Sequence, residues 1–360
     1  MKYAQNCPNS YLFHTTRRIL RLLSIILQKS NPFVKLIHVI MKNFLFTAFF
    51  LVFATTCFAQ SLPVELQTPD IVEVNRMPMR ATGFAFENFA LAEKREKENS
   101  RYFLTLNGPW KFNWVKNPND RPRNFFTPDF DDSKWDDFRV PANWELNHYG
   151  LPIYLNQPYE FAGKTKTGKA LNPPFDIPED HDPVGSYRKI FTLPEGWAGR
   201  QIFIHLGAVK SAFFIWINGK KVGYSEDSKL AAEFDITDYV KSGDNLVALQ
   251  VYRWSDGSYL ECQDMWRISG IERDVYLYST PKLDIRDFKV TGDLTDNYTT
   301  GVLSVKAEIN SYKIDTGHLH SKPEPFSLEY ELRDATGNSL FKKVVAGNHT
   351  VLGNYKTNVT

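Results

Sequence analysis

The chain has 360 residues, of which 42% are hydrophobic, 14% aromatic and 23% charged. That composition is globular, and the length exceeds one ordinary domain. The formal charge of +2 arises in residues 1–59, where seven Lys/Arg meet no acid; the remainder carries about −5, which excludes the basic footprint of a nucleic-acid binder.

The first 59 residues read as a leader. From Met41 and Lys42 the sequence "MKNFLFTAFFLVFATTCFAQS" runs through an apolar stretch to small residues, with cleavage expected after Ala59. This predicts a signal peptide over 41–59 and a periplasmic or secreted body, not in a membrane once the signal is cleaved. Residues 1–40 read as a misjudged upstream extension, and a membrane anchor from Ile19 to Ile40 is the rival reading. Cys7 and Cys57 leave with the leader, so Cys262 stands alone and the body has no intrachain disulfide.

Residues 60–100 read as an N-terminal arm, with one short polar helix from Leu91 to Ser100. From Arg101 the pattern is apolar alternation broken by Gly, Asn, Asp and Pro, the pattern of short strands. "YFLTLNGPWKFNWV" predicts two strands about an Asn107-Gly108 turn. Asn218-Gly219, flanked by "SAFFIWI" and "KKVGYSE", is the strongest hairpin signature in the chain. Many short strands over 101–280 predict an all-β fold, a jelly-roll β-sandwich. Pro281 marks a boundary, after which 281–360 predicts an incomplete immunoglobulin-like β-sandwich with a turn at Asp334–Asn338. Such a sandwich needs about seven strands in about 100 residues.

One segment stands out. "WSDGSYLECQDMWRISGIERDV", Trp254 to Val275, holds two Trp, three Asp, two Glu and two Arg between strands. Read alone, Asp264 is a turn acceptor or a partner for Arg267, Trp254 and Trp266 are packing residues, and Asn156 in "YLNQPY" is an ordinary loop residue. Arg253, Arg267, Arg273, Asp256 and Asp274 are expected to pair and stiffen the loop. The eight histidines show no metal-ligand spacing, and no phosphate loop or nucleophile elbow is present.

With "LNGPWKFNW", "VPANWELNHYGLPIYLNQPYEF", "NPPFDIPEDHDPVGSYRKIFTLP" and the run from "FIHLGAVKSAFFIWING", which begins at Phe203, to "RWSDGSYLE", this segment resembles the β-galactosidases of the glycoside hydrolase family built from a jelly roll, an Ig-like domain and a TIM barrel. The resemblance covers about Asn75 to Asp296. It implies that Asp264 binds galactose and helps hold sodium, that Asn156 borders the same pocket, and that Trp254, Trp266 and Arg267 support the loop. Carboxylate and amide oxygens suit sugar hydroxyls, and hard cations prefer oxygen. It further implies sodium and magnesium for the complete enzyme, a galactoside substrate, a homo-oligomer, and an arm at "NRMPMRATGFAFEN" that lies against a neighbouring subunit. Retaining glycosidases use two carboxylates about 5–5.5 Å apart. The resemblance places both on a barrel beyond these 360 residues, so this chain carries no catalytic pair and by itself is expected to be inactive. The alternatives are a stand-alone carbohydrate-binding or structural sandwich, and a β-glucuronidase or β-mannosidase sibling. Cys262 receives no role.

Overall fold

In the computed structural model, residues 62–155, 161, 176–312, 324–349 and 354–359 are described. The expectations for the leader and for Asn156 fall outside them. Two antiparallel sheets make the first sandwich. The larger has seven strands in the order Glu73–Val74, Lys220–Ser225, Ala212–Ile217, Asp244–Tyr252, Val184–Thr192, Gly108–Val115 and Asp136–Val140. The smaller has four, in the order Ala232–Asp235, Gln201–Leu206, Val275–Thr280 and Phe103–Thr105. Trp110, Phe112, Tyr187, Ile215, Leu249, Ile204 and Leu277 meet between them in the main core.

The central strands are apolar on both faces, so simple alternation does not describe them. Phe213 and Ile215 point into the main core, whereas Phe214 enters a second one with Tyr224, Tyr252 and Trp254. Leu62 and Leu66 of the arm close that second core. A strand buried on both sides reads as a continuous apolar run, and "LVAL", Leu246 to Leu249, is such a run.

Asn218-Gly219 forms the expected hairpin. Both residues have positive φ (51° and 86°), the conformation a tight two-residue turn requires. Asn107-Gly108 does not. The strands on either side of it belong to different sheets, because the Asn107 side chain is held at the start of Val275–Thr280: its Nδ2 donates to Asp274 Oδ1 (2.9 Å) and its Oδ1 accepts from Val275 N (2.9 Å). The pair is a corner where the chain changes sheet. The expected polar helix is shorter and earlier, Phe89–Lys94, capped by Asn88 Oδ1 accepting from Leu91 N, with a 3-10 turn at Lys97–Asn99.

The arm lies along its own sandwich. Glu73–Val74 caps the edge beside Lys220–Ser225, and it passes so near Gly223 that a β-carbon there would come within 2.3 Å of Val74 O. Beyond Pro281, Leu283–Thr295, Thr300–Ser311 and Asn354–Val359 form one sheet, and Glu324–Arg333 with Ser339–His349 form another. Among the described residues beyond Pro281 these are five strands, where an Ig-like sandwich has about seven. The Asp334–Asn338 turn is present: Asp334 Oδ1 accepts from Thr336 N and Asn338 N, both at 2.9 Å. Phe288, Val290, Leu294, Phe341 and Val344 are exposed.

Candidate functional site

The segment from Trp254 leaves the buried central strand and is fixed residue by residue. Trp254 N donates to Asp182 Oδ1 (2.9 Å), and its indole is 1% exposed against Phe161, 5.2 Å between rings. Asp256 N donates to Leu66 O (2.9 Å), tying the loop to the arm. One helical turn follows, Ser258–Glu261. Its Tyr259 donates to Asp176 O (2.6 Å), and Glu261 accepts from Ser228 N (2.8 Å) and Ser228 Oγ (2.6 Å). Cys262 caps the turn and packs partly buried against the second core.

The chain then forms a two-stranded ribbon. Met265–Arg267 pairs antiparallel with Ile153–Leu155, with Trp266 opposite Tyr154 and Arg267 opposite Ile153. Successive side chains on a strand point to opposite faces. Arg267 therefore turns inward, 1% exposed, and its guanidinium donates to the carbonyls of Gln263 and Met265. Beneath it, Arg253 donates to Arg267 O (3.1 Å) and faces Glu145 at 3.4 Å, while Glu145 accepts from Ser269 N (2.7 Å). Burial pushes the Glu145 carboxyl up, against the pull of Arg253. The outward face carries Trp266, 56% exposed, and Tyr154, 53% exposed, in edge-to-face contact at 5.7 Å and 67°. On the same side the Tyr154 phenol donates to Asp264 Oδ1. That bond, with the negative charge of Asp264, pushes the phenol pKa up, so it remains a donor.

The ribbon thus presents an exposed carboxylate beside two aromatic rings. A carboxylate accepts from sugar hydroxyls through charge-assisted bonds, and aromatic rings offer apolar faces. Asp264, Trp266 and Arg267 come together here. Asn156 lies outside the described residues, and Trp254 belongs to the core below. Trp266 is an open ring, so its contribution to the loop is the contact with Tyr154. Among the described residues, the charged side chains of the loop meet these partners. Arg253 faces Glu145, Asp274 accepts from Asn107, and Arg273 donates to Lys229 O (3.4 Å). Tyr154 and Glu145 were not legible as site residues, because ribbon register across more than a hundred positions is not written in local pattern.

A second acidic feature lies under the loop. Glu226 and Asp256 are buried side by side, and Tyr224 donates to Glu226. Burial, with Asp256 adding to it, pushes Glu226 up to about 8, and burial raises Asp256 as well. This pair is enclosed, not presented to a ligand. Among the described residues no group of three or more His, Cys, Asp or Glu is placed to hold a metal. Hard cations take about six oxygen ligands. Asp264 offers a sodium ion a single carboxylate, so the described residues do not by themselves fit the ion.

Residues 103–281 match the family described as glycosyl hydrolases family 2, sugar binding domain. The chain is 41% identical over 300 residues to a β-galactosidase of Priestia megaterium, covering 83% of this chain and 28% of that protein. It is 40% identical over 272 residues to a β-galactosidase of Halalkalibacterium halodurans, covering 76% and 25% respectively. The chain therefore spans about a quarter of the length of these curated relatives, and it aligns with their N-terminal part. Among solved structures, Bacteroides uniformis β-glucuronidase 2 is similar with a TM-score of 0.51 at 22% identity, over 72% of this chain and 28% of that one. At that identity the likeness speaks for the fold alone.

Proposed function

We propose that this chain, whose residues 103–281 belong to the sugar binding domain of glycosyl hydrolases family 2, is the N-terminal portion of a β-galactosidase and supplies one wall of its galactoside site. In this reading Asp264 accepts from a galactose hydroxyl, with Asn156 bordering the same pocket. The catalytic carboxylates belong to a barrel domain that the family resemblance implies, and hydrolysis proceeds with retention at a pair about 5–5.5 Å apart. The observation that carries the reading is the exposed Asp264 carboxylate on the outward face of an aromatic ribbon, in a chain 41% identical over 300 residues to a β-galactosidase.

The leader pattern supports export, and the family resemblance supports the metal ions and the assembly. The signal over 41–59 exports the protein to the periplasm or beyond. Asp264 contributes one oxygen to a sodium site, magnesium serves the complete enzyme, and the enzyme assembles as a homo-oligomer.

The test is a panel of p-nitrophenyl β-D-galactopyranoside, β-D-glucuronide and β-D-mannopyranoside, offered to the native protein and to residues 62–360 produced alone. The native protein is expected to cleave the galactoside fastest, and residues 62–360 to cleave none. Turnover by residues 62–360 that is lost on one local substitution would contradict a catalytic pair carried elsewhere, and preference for the glucuronide would make the protein a sibling activity.

A further inference from the structure

We propose that Tyr154 is a positioning residue for Asp264, a neutral donor that holds the sugar-binding carboxylate in one orientation without cancelling its charge. The inference rests on the galactosidase reading and deepens it at this site.

Asp264 is exposed and sits at the mouth of the ribbon, where an aspartate side chain would otherwise sample several rotamers. Tyr154 reaches it from a strand 110 residues away in sequence. The position of the phenol is set twice. The ladder places Tyr154 directly opposite Trp266, and the Trp266 ring then meets it edge-to-face at 5.7 Å. Cross-strand aromatic pairs of this kind hold side chains in register. The phenol oxygen is thereby delivered to Asp264 Oδ1.

The choice of a phenol has chemical consequences. A carboxylate has about four lone-pair positions, and a phenol has one hydrogen to give. One bond to Oδ1 leaves Oδ2 and the phenol's own lone pairs to accept from sugar hydroxyls. A guanidinium in the same place would take up both oxygens through a bidentate pair. The arginine of this ribbon, Arg267, is turned to the opposite face, where it donates to backbone carbonyls. The outward face keeps a charged acceptor that is oriented and not neutralised, and an acceptor ordered before the ligand arrives spares the ligand the cost of ordering it.

The test is a double-mutant cycle in the native protein, reading kcat and KM for p-nitrophenyl β-D-galactopyranoside with wild type, Tyr154→Phe, Asp264→Ala and the double variant. Tyr154→Phe keeps the ring and its contact with Trp266. It is expected to raise KM about three- to tenfold, the scale of one immobilised side chain, to leave the melting temperature unchanged, and to add no further loss on the Asp264→Ala background. Wild-type constants for Tyr154→Phe, or losses that simply add in the double variant, would overturn the proposal, because then the phenol does not act through the carboxylate. A loss accompanied by a lower melting temperature would overturn it in favour of a packing role. If the native protein cleaves the β-D-glucuronide in place of the galactoside, the galactosidase reading fails, and the same cycle on the glucuronide decides the role of Tyr154. A native protein inactive on both removes the reading and this inference with it.

Discussion

Beneath the loop, Glu226 and Asp256 lie against each other in a space that leaves little room for two charges. Burial, reinforced by Asp256, pushes Glu226 up to about 8 from an ordinary value of 4.5, and Tyr224 donates to the same carboxyl. Because the folded value is raised, the stability Glu226 contributes is full below pH 4.5 and is lost as pH rises through about 8. Glutamine matches the protonated form in shape and never ionises. Glu226→Gln is therefore expected to unfold at the same temperature as wild type near pH 4.5 and to be more stable by about 1–3 kcal/mol at pH 9, measured by thermal unfolding at both values. An equal difference at the two pH values would place the effect in packing, not in the charge. The same scale shows what sequence can hold. Trp254 and Trp266 are the same residue in one loop, yet one is sealed in the core and the other is an open ring. The resemblance pointed to Asp264. Nothing local pointed to Tyr154, because a ladder partner 110 positions away is set by how the two strands meet.

Elements were legible where their geometry is local. Asn218-Gly219 and Asp334–Asn338 carry the positive-φ and side-chain-capping residues that a tight turn demands, and both turns form. Asn107-Gly108 has the same letters and makes a corner, since the Asn107 amide is spent on Asp274 and Val275 of a strand nearly 170 residues later. Alternation located the strands but not their depth. The central strands are covered on one face by the other sheet and on the second by Leu62, Leu66 and Trp254, and that second layer comes from the arm and the loop. The ribbon of the candidate site was missed for a further reason. Its strands are three residues each, too short for period two to distinguish them from loop.

At the scale of the molecule, one buried carboxylate joins three parts of the chain. Glu233 of the first sandwich accepts from Arg80 of the arm through both oxygens (2.8 Å each), from Arg286 beyond Pro281 (3.0 Å) and lies 3.0 Å from His205 Nδ1. Arg286 also donates to Pro78 O (3.1 Å), and Asp287 Oδ1 accepts from Ala81 N (2.8 Å). Burial alone would raise the Glu233 carboxyl. The bonds from His205 and Arg80, with the charges of Arg80 and Arg286, outweigh it and hold the group far below the carboxylate range. With the folded value depressed, the stability Glu233 contributes is present above its ordinary 4.5 and is lost as pH falls below it. Glu233→Gln removes the carboxylate that two buried guanidinium groups share and is expected to cost about 3–5 kcal/mol at pH 7. The deficit should shrink as wild type is acidified below pH 4.5, and a deficit constant down to about pH 3 would remove the charge from the account. The all-β class was readable from turn chemistry and composition. The node was not, since its members come from the arm, the sandwich and the strands beyond Pro281.

In the proposed function the outward face of the ribbon is a wall of a galactoside site. Its most direct test is the specificity constant of the native protein for p-nitrophenyl β-D-galactopyranoside, compared between wild type and Asp264→Ala. The account predicts a fall of about 10- to 100-fold, the scale of one charge-assisted hydrogen bond, with an unchanged melting temperature because Asp264 is exposed. Wild-type kinetics in the Asp264→Ala variant would return the residue to a turn acceptor and contradict the account.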